Sequence, residues 1–185
     1  MTDAKPKKTK EAAFGFFIIM VLSALGGYGI SSLALKVPGF KTLLPAFNPL
    51  DALAILLLIL VVLAIHELGH LMGGFSRGMK FLLFVVGPFQ WINTADGIRF
   101  SLVFNLGSFG GLAAALPNPD QAMAPQLKRL VIGGPLASLL LSILCVLIGT
   151  VLSGKLAFYF YFIGGFSFLI FLVTALPFRA GGFMS

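Results

Sequence analysis

The chain has 185 residues, of which 58% are hydrophobic and only 10% charged, with a mean hydropathy of +1.03. A soluble domain is about one quarter charged, so this composition excludes an ordinary cytosolic globule and a disordered acidic tail. One cysteine excludes a disulfide framework and any multi-cysteine metal site, and the net charge of +7 comes without the basic stripe interleaved with aromatics that nucleic-acid binding would need. The composition is that of an integral membrane protein.

A membrane-crossing helix needs about 20 mostly apolar residues, and four segments qualify. The first runs from Phe14 to Leu35 behind a basic tail, residues 1–13. It exceeds a usual signal-peptide core and reads as a retained anchor. The second runs from Leu50 or Asp51 to about Gly73, interrupted only by His66, Glu67 and His70. The third, Leu130–Gly154, and the fourth, Leu156–Phe178, are separated by Lys155 alone and predict a tight antiparallel hairpin. With the N-terminus in the cytoplasm, ten of the thirteen Lys and Arg fall inside, leaving Lys36, Lys41 and Lys155 outside.

Residues 80–105 follow another pattern. Phe81–Ala95 is apolar but too short to cross and is broken by Gly87-Pro88. Asp96-Gly97 is a hairpin signal, after which Ile98, Phe100, Leu102 and Phe104 alternate as in a strand. The segment predicts a β-hairpin dipping into the membrane, where non-helical backbone survives only against protein or a water-filled cavity. The expected fold is an all-α polytopic membrane protein of about four transmembrane helices with one re-entrant β-hairpin.

One constellation carries chemistry: His66-Glu67-Leu68-Gly69-His70 in the second apolar segment. Histidines four apart share a helix face, so both imidazoles can reach one metal ion, and Glu67 beside the first can take a proton from water there. An ionisable side chain within hydrocarbon costs on the order of 3 kcal/mol or more, which makes three of them on one stretch hard to tolerate without a shared task. Asp51 to His66 is about 22 Å at 1.5 Å per residue, which puts the motif inside a bilayer core. No glutamate follows Glu67 and no histidine follows His70, so any third side-chain ligand downstream is an aspartate, Asp96 or Asp120. That absence also argues against the membrane zinc peptidases that use a downstream glutamate.

The motif in an apolar helix, followed by Gly78-Met79-Lys80-Phe81 and Gly87-Pro88, resembles the site-2 protease family of intramembrane metalloproteases. Lys128-Arg129 leading into Gly133-Gly134-Pro135-Leu136-Ala137-Ser138 is similar to the G-P-x-x-N element of that family. The resemblance covers roughly residues 50–185; together with the first span, residues 14–185 are the expected transmembrane metalloprotease core. It implies a zinc endopeptidase that cuts transmembrane segments of other membrane proteins, with His66 and His70 on the metal and Glu67 as catalytic base, in a bacterial inner or plasma membrane. It assigns no substrate-binding residue. Ser138 stands where the family carries asparagine. The family's third ligand is an aspartate after the last core helix, whereas Thr174-Ala175-Leu176-Pro177 here leads to Ser185 without one. The expectation is therefore a chain truncated at its C-terminus with the aspartate just beyond Ser185. The alternative is a non-catalytic relative that binds membrane proteins as a chaperone does.

Overall fold

The structure, a computed structural model, describes residues 48–103 and 111–175. The expected first span, the basic tail and the segment after Ala175 lie outside them. Helix α1 (Pro49–Phe75) starts at a reciprocal cap. The Asn48 side chain accepts from the Asp51 N–H at 3.0 Å, and the Asp51 carboxylate accepts from the Asn48 N–H at 2.7 Å. Pro49 occupies the first turn, where its missing N–H costs nothing. Gly78, with φ +74°, turns the chain out of the helix.

Four strands follow: β1 (Lys80–Val86), β2 (Phe89–Thr94), β3 (Gly97–Leu102) and β4 (Leu112–Leu116). They form one antiparallel sheet in the order β3-β2-β1-β4. Helices α2 (Met123–Val151) and α3 (Gly154–Ala175) complete the described chain. Among the described residues, three helices are long and apolar enough to cross a membrane. The expectation of an all-α protein with a single hairpin is corrected by this sheet. Gly87-Pro88 is a hairpin turn in its own right, with Val86 opposite Phe89 and Gly87 at φ +55°. A positive φ at the first central residue is what the twist-matched hairpin turns require. The second turn falls one residue earlier than the Asp96-Gly97 signal indicates: Thr94 pairs with Gly97 across Ala95-Asp96.

The sheet packs on α1 through β1 and β4. A Cβ on Gly87 would overlap the Leu60 side chain, so β1 runs back along α1 from its end almost to its middle. α1 and α2 cross so closely that a Cβ on Gly69 or Gly73 would overlap the Gly133 or Arg129 carbonyl, and one on Gly133 would overlap the Gly69 carbonyl. Small residues at such crossings let apolar helices pack in lipid, where no hydrophobic drive pushes them together. α2 and α3 form the expected antiparallel hairpin, turning at Leu152-Ser153 with Lys155 in the first turn of α3. Lys155 Nζ reaches Asp51 at 2.7 Å and the Tyr159 hydroxyl donates to it at 2.6 Å, which ties the start of α1 to α3. Leu53, Leu57, Leu140, Leu147 and Leu169 are more than half exposed on the outward helix faces. Contiguous apolar surface of this kind suits lipid and not water.

Gly133→Ala should separate α1 from α2 and destabilise the fold by about 1–3 kcal/mol, as overpacking does. Gly165→Ala, where an added methyl meets nothing within 4 Å, should leave stability unchanged or raised. Thermal unfolding in detergent micelles measures both.

Candidate functional site

His66 and His70 lie one turn apart on α1, and their Nε2 atoms converge to 3.2 Å. The other nitrogen of each ring is engaged by α2. His70 Nδ1 meets the Leu130 carbonyl at 2.7 Å, and since a carbonyl only accepts, that nitrogen carries the proton. With Nδ1 so engaged, it is Nε2 that is left for a metal ion. His66 Nδ1 lies 2.8 Å from Ser138 Oγ, and the ring also lies against the Gly134 carbonyl. Ser167 of α3 donates to the Ser138 carbonyl at 2.8 Å, which holds that turn of α2 in place. Gly134 sits against the His70 ring, and any side chain there would overlap the imidazole.

Two nitrogens each 2.0–2.1 Å from a tetrahedral zinc lie about 3.3 Å apart. The observed Nε2 separation fits that spacing, and the bonded Nδ1 atoms are the outer-shell contacts that orient metal-ligating histidines. His66 and His70 thus fit two positions of a zinc site. Among the described residues no group of three or more His, Cys, Asp or Glu comes together. Asp96 is exposed in the β2–β3 turn and pairs with Arg99. Asp120 is exposed in the turn before α2, its N–H donating to Asn118 at 3.0 Å. Neither aspartate of the sequence reading joins the histidines. The position beyond Ser185 lies outside the described residues.

Glu67 is buried, 8% exposed, and its carboxylate faces the sheet. The Ala113 N–H of β4 points at it. Gly111, at φ +86°, brings the backbone so close that a Cβ would press on Oε1. An N–H aimed at Glu67 is not spent on β1, so it belongs to the outer edge of β4, the end strand of the sheet. On the side of α3, a cavity of about 310 Å³ opens on His66 and Glu67, with Leu63, Leu169, Ile170 and Val173 among its walls. The motif residues therefore face metal-ligand geometry, a strand edge and an open space together.

Several contributors were hidden from sequence reasoning. Ser138 was visible only as a departure from asparagine, and it sits on His66. The Leu130 carbonyl leaves no trace in a sequence. β4 was missed because Leu112-Ala113-Ala114-Ala115-Leu116 lacks β-branched and aromatic residues, although the glycines before it signal close backbone approach.

Ser138→Ala should weaken zinc binding 10–100-fold, the usual penalty for an outer-shell loss. Gly134→Ala, through its overlap with His70, should weaken it further. Thr150→Ala, at the other end of α2, should leave it unchanged. Competition with a chromophoric chelator measures all three.

Residues 54–181 match the sequence profile of peptidase family M50. No curated protein and no solved structure matches the chain. The profile takes in nearly all of α1, the whole sheet, α2 and α3, and with them every residue of the site just described. This is a multi-pass membrane protein, and the chain belongs to peptidase family M50, the site-2 protease family.

Proposed function

We propose that the protein is an intramembrane zinc endopeptidase that cleaves transmembrane segments of other membrane proteins. The observation that carries this reading is the pair of Nε2 atoms 3.2 Å apart with the Glu67 carboxylate beside them, held against a strand edge that has no strand partner among the described residues. His66 and His70 would hold zinc, which when bound supplies a Lewis acid that polarises a carbonyl and lowers the pKa of water. Ser138 and the Leu130 carbonyl fix the two rings so that the metal-facing nitrogens need no reorganisation. Glu67, as general base, takes a proton from the attacking water on its carboxylate and returns it to the leaving nitrogen of the cut bond.

Depth supports the membrane part of the reading. Gly87 contacts Leu60, six residues and about 9 Å before His66 on α1, towards the start of the helix. The β1–β2 turn thus passes the level of the site, which is what a re-entrant element does. Phe89, Trp91 and Phe100 cluster on the outer part of the sheet with ring centroids 5.1–6.4 Å apart, a composition suited to the membrane interface. Arg77, Lys80, Lys128 and Arg129 lie at one end of the bundle and Lys155 at the other, which supports a cytoplasmic position for the first end.

A helical substrate shields its own peptide bonds, so cleavage requires local unwinding. The unwound stretch can add to a strand edge by main-chain pairing. The edge that serves is that of β4, since it borders Glu67.

Glu67→Gln should abolish cleavage of a co-expressed membrane substrate while zinc stays bound, and His66→Ala should lose both. Cleavage by purified Glu67→Gln protein would remove Glu67 from the role of base. Zinc binding by the wild-type chain without any cleavage is the behaviour of the non-catalytic relative. Ala113→Pro removes an outward N–H and spares the ladder to β1. It should cut activity at least about tenfold with zinc retained, because the same N–H donates to the Glu67 carboxylate, a hydrogen bond to a charged group is worth about 1.5–3 kcal/mol, and proline also blocks close approach at that edge. Equal loss of metal and activity would make β4 a structural support only.

A further inference from the structure

A second cavity, about 530 Å³, lies at the other end of the α1–α2 crossing from Asp51 and is lined by Arg77, Ala124, Pro125, Lys128, Arg129 and Ile132. Its volume falls within the roughly 300–1,000 Å³ of ligand pockets. Three of its six lining residues are cationic, and none makes an ion pair among the described residues. Asp120, nearby in sequence, pairs with none of them.

The walls are held firmly. Arg77 follows the capped end of α1, its N–H bonded to the Gly74 carbonyl at 2.9 Å. The Arg129 backbone is pressed on Gly73 where the helices cross. The approach to α2 is knotted by Gln126, which is fully buried, accepts from the Asn118 N–H at 2.7 Å and donates to the Asn118 and Gln121 carbonyls at 2.9 and 3.0 Å. Gly78 packs on Asn118, joining the exit of α1 to this knot. The backbones that carry the three like charges are thus held around one cleft by two helix ends tied together.

The cleft also has an apolar side. Ile132 and Leu136, one turn further along α2, are about half exposed, and α2 continues from there as a membrane-crossing helix. A ligand suited to this surface has an anionic, hydrogen-bond-accepting head for the two guanidinium groups and the ammonium, and an acyl body that lies along Ile132 and Leu136. Arg forks match phosphate oxygens two at a time, and basic pockets between membrane helices hold lipid phosphates. We infer that this cleft binds the phosphate head group of an anionic phospholipid. The inference does not depend on the protease reading.

The test uses the full chain in nanodiscs of equimolar phosphatidylglycerol and phosphatidylcholine, with native mass spectrometry of the lipid retained on release. Wild-type protein should retain phosphatidylglycerol over phosphatidylcholine by at least about fivefold, in line with three cations near a surface phosphate. The combined Arg77→Gln, Lys128→Gln and Arg129→Gln variant should fall to parity. Lys80→Gln, which removes a charge from the same end but outside the cleft, should keep the preference. The charge-conserving Arg77→Lys, Lys128→Arg and Arg129→Lys variant should keep most of it, which separates lost charge from lost fold. Parity in the wild-type protein, or equal loss in Lys80→Gln, overturns the site. Displacement of the lipid by excess inorganic phosphate would mark a soluble phosphate ligand and overturn the lipid assignment.

Discussion

An ionisable group in hydrocarbon must be paired, and α1 carries three of them in little more than one turn. The cost is on the order of 3 kcal/mol or more for each, so an unpaired His66-Glu67-x-x-His70 would threaten the insertion of the helix itself. The surrounding chain supplies the partners. α2 brings a hydroxyl and a carbonyl to the imidazoles, β4 brings a backbone N–H to the carboxylate, and no buried side-chain nitrogen or oxygen among the described residues is left without a partner. The same contacts that make the residues tolerable also set their geometry. Nδ1 is engaged on each ring, so Nε2 is left to face its counterpart.

Those contacts need backbones closer than ordinary side chains allow. Gly69, Gly73 and Gly133 remove the bulk at the α1–α2 crossing, and Gly134 makes room for the His70 ring. Glycine weakens a helix by up to about 1 kcal/mol each relative to alanine, a penalty that close packing and the satisfied histidines offset. At the far end, Asp51 is held by Asn48, Lys155 and Tyr159 together, so α1 is pinned at its start by α3 and along its second half by α2 and the sheet. The site lies on the pinned half, which is what a preorganised metal centre needs.

The parts legible in the sequence are those that depend on local pattern. Apolar length marked α1 and the α2–α3 hairpin to within about three residues, because a helix in lipid must be long and uncharged, except that α2 starts at Met123 and not at Leu130, its first two turns carrying Lys128 and Arg129. The i, i+4 histidines were legible because helix geometry alone puts them on one face. The sheet was half legible. Gly87-Pro88 was seen as a break and is a hairpin turn, and the Asp96-Gly97 signal was right in kind but one residue late. β4 was not legible, because an alanine-rich strand owes its existence to β1 beside it and α1 beneath. Ser138 is 72 residues from His66, a separation that no local pattern bridges.

The zinc K-edge X-ray absorption spectrum of the purified chain with one equivalent of zinc is the most direct test of the proposed metal centre. It should show two imidazole nitrogens at about 2.0–2.1 Å, with the outer-shell scattering of both rings, and should lose that scattering in a His66→Ala, His70→Ala double variant. Zinc bound without imidazole scattering, or a spectrum that the double substitution leaves unchanged, would contradict it.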